Sequence, residues 1–162
     1  MRFSAALIAL ALLTASPSRA DEANASVGLT GLNGQGGAVT LDELDALPRI
    51  TISAEQHDAT HVFEGALLTD VLARVGAPRG KAIHGAEMTD VIIVEARDGY
   101  KVALDLAGID ATIRKDRVIL ADRMDGAPIG PETGPFRLVV EGDFRPARSV
   151  RMVKQIRLER LH

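Results

Sequence analysis

Two neighbouring stretches near the C-terminus decide the fold: GPFRLVV at Gly134–Val140 and RPARSVRMVKQI at Arg145–Ile156. The first predicts a strand over 136–141, with Arg137 set among apolar neighbours. Gly142–Arg148 reads as a loop, and 150–158 as a closing strand in which Val150, Met152 and Ile156 partly alternate.

Outward from this block the chain is a series of short strands. Val27–Leu32 predicts a first strand, NGQGG at Asn33–Gly37 a turn, and Ala38–Leu41 a restart. Thr40 then caps a short helix, with Glu43 three residues on in the T-x-x-E pattern of a capping box, and Leu47-Pro48 ends it. RITIS at Arg49–Ser53 and His61–Phe63 predict a hairpin about a polar turn at His57-Asp58-Ala59. Over Ala66–Val75, the residues Leu68, Val71, Leu72 and Val75 form an i, i+3, i+4, i+7 stripe, which predicts a helix stopped at Gly76. Val91–Glu95 and Tyr100–Leu104 flank the Asp98-Gly99 turn, and Val118–Ala121 is a further strand. Many short strands with one or two short helices define an α+β, mostly β domain with mixed pairing, not an alternating strand–helix sheet.

The N-terminus reads as an export signal. Arg2 precedes an uncharged apolar run, Ala5–Leu13, and small residues Ser18 and Ala20 set a cleavage point after residue 20. The expected organisation is therefore a signal over 1–20, a leader and first strand over 21–37, and the domain over 38–162. The run is short for a bilayer span, and direct membrane insertion after cleavage is not expected. The whole chain carries a net charge of −3; without Arg2 and Arg19, 17 basic residues face 22 acidic ones, leaving −5. That balance argues against nucleic-acid binding. The chain has no cysteine. It therefore has no disulfide, no thiolate metal ligand and no cysteine nucleophile. His57 and His61 have the i, i+4 spacing that converges on a helix, but they fall on a predicted hairpin with no H-E-x-x-H pattern, and with His84 and His162 they make no metal set, so no metal is expected. No G-x-S-x-G, P-loop or dinucleotide motif is present.

Several segments in order resemble the molybdopterin-binding domain of the sulfite-oxidase family. They are VTLDELDALP at Val39–Pro48, FEGALLTDVLARVGA at Phe63–Ala77, ARDGY at Ala96–Tyr100, ILADRMDGAPI at Ile119–Ile129, and the C-terminal pair GPFRLVV and RSVRMVKQI. The resemblance implies a sulfite-oxidase-type fold over about residues 38–158 and a pocket for a pterin. In the redox enzymes of that family a cysteine thiolate holds molybdenum, at a position that falls here near Ala54 or Glu55. Neither residue replaces a thiolate. The chain is similar to a cysteine-less, exported branch whose members bind pterins and act as ligand-sensing partners of membrane cyclic-di-GMP enzymes. The resemblance thus implies a non-catalytic, periplasmic pterin-binding protein, with a reduced pterin favoured over molybdopterin and a membrane signalling protein as partner. Two other readings stay open: a molybdopterin-dependent oxidoreductase subunit, and an interaction domain whose pocket has decayed.

A pterin presents a donor–acceptor edge that a carboxylate and an arginine can read. Arg137 is the first candidate for that role; the alternative is an outward-facing strand arginine. Arg148, Ser149 and Arg151 match the family's K-S-x-K stretch, which holds the pterin or its phosphate; the alternative is a solvated basic edge. Arg145 shares that loop. Asp98 offers a carboxylate, though the D-G turn also accounts for it. Tyr100 offers a stacking face, though it also suits a core. Glu55, Gln56 and His57 fall in a loop predicted at the pocket mouth.

Overall fold

A computed structural model describes residues 25–56 and 59–162. The export signal and His57 lie outside the described residues.

Ten strands form two sheets. β1 (Ser26–Thr30) and β2 (Gly36–Thr40) form an antiparallel hairpin. With β5 (Asp90–Ala96), β6 (Lys101–Asp105) and β10 (Val153–Arg160) they build the first sheet, in the order β2-β1-β10-β5-β6. Here β1 pairs with β10 in parallel, Leu29 opposite Ile156, and the remaining pairings are antiparallel. Residues 26–37, expected ahead of the domain proper, therefore supply strand to its sheet.

The second sheet holds β3 (Arg49–Gln56), β4 (Ala59–Leu67), β7 (Val118–Met124) and β8 (Ala127–Pro128) in that order. β9 (Arg137–Val140) pairs antiparallel with the first half of β7. The β4–β7 register shifts between Glu64 and Gly65, with Asp122 of β7 as the extra residue, and beside it a side chain on β4 is excluded: a Cβ on Gly65 would fall 2.1 Å from the Leu120 carbonyl oxygen.

Among the described residues two short α-helices and four 3-10 turns complete the fold. α1 (Leu41–Asp45) starts where the sequence predicts, with the reciprocal capping box of Thr40 and Glu43. α2 (Leu68–Ala73) is shorter than the predicted 66–75 because Ala66 and Leu67 still belong to β4. Its apolar stripe, Leu68, Val71, Leu72 and Val75, packs as expected. The main core gathers these with Val27, Leu29, Ile92, Val94, Ile156 and Leu158 of the first sheet and Leu120, Leu138 and Val140 of the second. A second cluster lies on the other face of the second sheet: Ile52, Phe63, Ile119, Ala121, Ile129 and Val139.

This two-sided burial positions Arg137. Side chains alternate along β9, so Leu138 and Val140 enter the main core while Arg137 shares the face of Val139. Its register partner on β7 is Ala121, small enough to leave room for it. The closing strand begins at Val153, later than the predicted 150. Val150 makes only an isolated bridge with Leu138, and Met152 takes a left-handed conformation, φ 51°. That break turns 149–152 toward the site.

Candidate ligand-binding site

The end of the sheets beside Arg137 holds a cavity of about 250 Å³ lined by Gln56, Asp98, Tyr100, Arg137, Pro146, Ser149 and Arg151. Three segments supply them: the end of β3, the tight turn between β5 and β6, and the β9–β10 region.

Arg137 is the deepest cation of the site, 5% exposed. One terminal nitrogen donates to Gln56 Oε1, and the other lies 3.8 Å from Met124 Sδ. The guanidinium carbon sits 5.2 Å from the centre of the Phe63 ring, within cation–π range. No carboxylate pairs with it among the described residues. Its Nε and the Nε2 of Gln56 are buried donors with no acceptor. Burial, with a smaller repulsion from Arg151, lowers the guanidinium pKa to about 10. The side chain stays cationic at neutral pH but is poorly compensated. A buried unpaired charge costs several kcal/mol, and each unmet buried donor ~1–3 kcal/mol. A ligand offering acceptors or negative charge would relieve it.

The rest of the lining is held by backbone geometry. Asp98 Oδ1 accepts from Tyr100 N at 2.9 Å, which sets the turn around Gly99 (φ 88°). The Tyr100 hydroxyl donates to Ala147 O at 2.7 Å, tying that turn to the β9–β10 loop. Tyr100 is thus half exposed at the rim and not a core residue. Ser149 Oγ accepts from Val140 N at 3.2 Å. Arg151 is exposed, with no ion-pair partner among the described residues.

Of the residues singled out from sequence, Arg137, Ser149, Arg151, Asp98 and Tyr100 converge on one cavity. Two do not join them. Arg148 is held by Asp143, with Nε donating to Oδ2 at 2.9 Å and a second contact from its terminal nitrogen. The Asp143 hydrogen bond raises its pKa, and it is absent from the cavity lining. Glu55 lies in strand β3, not in the predicted loop. It accepts from Thr60 Oγ1 at 3.1 Å and faces a different hollow, shared with Ser53, Ala54, Asp143 and Phe144. Gln56, grouped with the mouth loop by sequence, is instead a 4%-exposed strand residue and the partner of Arg137. The alternation Ile50, Ile52, Ala54, Gln56 carried the signal: it places Gln56 on the inner face. Pro146 had no such signal.

A family model, described as the oxidoreductase molybdopterin binding domain, matches residues 14–161, and the chain belongs to that family. No curated protein matches the sequence. Among solved structures, the chain is similar to the sulfane dehydrogenase SoxCD from Paracoccus pantotrophus, with a TM-score of 0.64 and 17% identity. The match covers 85% of this chain and 39% of that one. The shared fold is the sulfite-oxidase type expected from the motif order.

The family binds a molybdopterin cofactor. The residues here suit the pterin portion: Arg137 and Gln56 offer buried donors, and Asp98 offers a carboxylate across the same cavity. They do not suit a metal held by protein sulfur. The sequence has no cysteine. At the end of β3, Ala54 has no ligand atom, Glu55 faces the neighbouring hollow, and Gln56 is committed to Arg137. Among the described residues no cluster of three or more His, Asp or Glu side chains forms a metal site.

Proposed function

We propose that this molybdopterin-family domain acts by recognition: it is an exported protein that binds a small pterin reversibly and presents its occupancy to a membrane signalling partner. The observation that carries the reading is the buried Arg137, without a carboxylate partner among the described residues, beside the unsatisfied Gln56 amide. The domain retains a costly polar recognition group while its sequence supplies no thiolate for a redox metal.

In this reading Arg137 and Gln56 donate to the carbonyl and ring-nitrogen acceptors of the heterocycle. Asp98 accepts from its amino-pyrimidinone edge, the Tyr100 ring borders the rim, and Arg151 closes the open side. The cavity lies just below the ~300–1,000 Å³ of typical small-molecule sites, which favours a compact pterin over a large conjugate. Among the described residues no helix is long and apolar enough to cross a membrane.

A second reading, an oxidoreductase subunit carrying molybdopterin, draws on the family and on the fold shared with a sulfane dehydrogenase. Native mass spectrometry of the protein purified from its own cell envelope, with metal analysis of the same sample, separates the two. A bound pterin without molybdenum supports recognition. Stoichiometric molybdenum with phosphorylated molybdopterin contradicts it and supports the second reading.

A further inference from the structure

Phe144 is fully solvent-exposed, at 102% of its reference surface. The other aromatics of the described residues are placed: Phe63 and Phe136 are buried, and Tyr100 is anchored through its hydroxyl. Beside Phe144, Arg145 is exposed and without an ion-pair partner among the described residues. The pair forms an apolar, cationic knob on the β9–β10 loop.

A complementary groove lies elsewhere on the same chain. A cavity of about 210 Å³ has an apolar floor of Leu41, Pro128, Ile129 and Pro135. Asp42, Asp45, Asp122 and Arg123 line it; the Arg123 guanidinium donates to Gly126 O, and Arg49 beside the lining takes Asp122 and lies near Asp45, which leaves Asp42 as the lining carboxylate without an ion-pair partner among the described residues. Asp42 and Asp45 are exposed. An aromatic side chain followed by a cation suits this combination of an apolar floor and the unpaired Asp42 carboxylate at its edge.

Knob and groove sit at opposite ends of β3. Arg49, the first residue of the strand, bonds to Asp122 at 2.6 Å and lies 3.7 Å from Asp45, both groove residues. At the other end, Ala54 and Glu55 border the same hollow as Phe144. A strand rises ~3.3 Å per residue, so about 20 Å separates the two features, and a chain cannot fill its own groove.

We propose that two copies of this chain associate head to tail, Phe144 and Arg145 of one docking into the Leu41–Asp42–Ile129 groove of the other. The contact joins two different patches, so each copy keeps a free knob or groove and assembly continues into a ring or a short filament. A single aromatic knob buries far less than the ~1,200–2,000 Å² of a stable interface. The association is therefore weak and concentration-dependent. It is independent of the ligand reading, because neither patch belongs to the Arg137 cavity.

The test is sedimentation velocity of the full chain from about 10 µM to about 1 mM, the range in which weak contacts populate. The sedimentation coefficient rises with concentration in the wild type and stays flat in Phe144→Ser and in Asp42→Lys. Arg145→Glu also abolishes the rise, and the double variant Arg145→Glu/Asp42→Lys restores it by exchanging the charges. Thermal midpoints of the variants confirm that each is folded. A monomer across the whole range overturns the proposal and assigns Phe144 to a different partner. Association that survives Phe144→Ser also overturns it, and failure of the charge exchange to restore association overturns the assigned groove.

Discussion

Arg137 and Gln56 are the pair around which the site is organised: a buried guanidinium donates to a buried amide oxygen, and no carboxylate among the described residues balances the charge. Eighty-one residues separate them in sequence. Strand β9 brings one and the last residue of β3 the other, so the pair depends on the whole second sheet being correctly registered.

Removing the charge should relieve the fold. Arg137→Met keeps much of the aliphatic volume while deleting the uncompensated cation. Replacing buried ionic groups by apolar ones is often neutral or stabilising by ~1–4 kcal/mol. The expected outcome is an unchanged or higher thermal midpoint by calorimetry. A large drop would mean that the guanidinium is a structural anchor.

Gln56→Glu should strengthen the pair at the expense of the site. A carboxylate at 56 gives Arg137 a charge-assisted partner and removes the orphan amide donor. Ligand binding should then fall by at least tenfold while denaturant midpoints hold or rise. Gln56→Ala makes the contrasting case, with lower affinity and no gain in stability. Equal ligand affinity in Gln56→Glu and the wild type would contradict the role given to this amide.

The pH response follows from the sign of the Arg137 shift. Its pKa in the fold, about 10, is below the ordinary arginine value. Below about 10 the group is protonated whether folded or unfolded, so its destabilising effect is constant there. As pH rises from about 10 toward the unfolded value, the folded state releases the proton first and the penalty diminishes. Arg137 therefore contributes no pH dependence to ligand binding between about pH 6 and 9, and binding weakens only above about 10. Calorimetric titration across this range checks it. A sharp loss of affinity near neutral pH would implicate a different group.

Acid should act through the carboxylates. Burial pushes the carboxyl of Asp110 up, but hydrogen bonds from Thr112 and from Gly80 N outweigh it and leave its pKa below the usual value. Glu141 is likewise lowered, chiefly by its hydrogen bond with Arg117. Groups lowered in this way stabilise the fold above their unfolded pKa, and the contribution is lost as pH falls through the folded one. Denaturant midpoints should hold from neutral pH to about 5 and decline below about 4, with a shallower decline in Asp110→Asn, which starts from lower stability at neutral pH.

Much of the architecture was legible in the sequence because local chemistry and global fold agree. The Thr40–Glu43 capping box, the 49–63 hairpin and the Leu68–Val75 stripe each specify an element without tertiary help. Boundaries slipped where tertiary pairing overrode the local pattern. Ala66 and Leu67 read as helix but are held in β4 by pairing with Leu120 and Ile119. The site was legible in part. Arg137, Asp98, Tyr100, Ser149 and Arg151 follow from motif order, and their convergence needed the fold. Arg148 lies in the same basic stretch as Ser149 and Arg151, yet Asp143, five residues earlier, takes it. Glu55 and Gln56 are adjacent, and strand alternation sends them to opposite sides.

The close approach of Gly65 to the Leu120 backbone predicts a sharp structural sensitivity. Gly65→Ala places a methyl carbon against the backbone of Leu120, which cannot yield without opening the β4–β7 ladder. The expected loss is about 2–3 kcal/mol, in the range of overpacked cores, with ligand affinity falling alongside it because β3, β4 and β7 together seat Gln56 and Arg137. A midpoint within experimental error of wild type would contradict the close approach.

The most direct measurement is an anaerobic calorimetric titration of the full chain with a reduced pterin, wild type against Arg137→Met. Saturable one-to-one binding to the wild type is expected, and at least a tenfold loss in a variant that remains fully folded, in keeping with ~1.5–3 kcal/mol for a hydrogen bond to a charged group. Equal affinity in the two proteins would contradict the assignment of Arg137 as the recognition group, and absence of binding to the wild type would contradict the pterin reading itself.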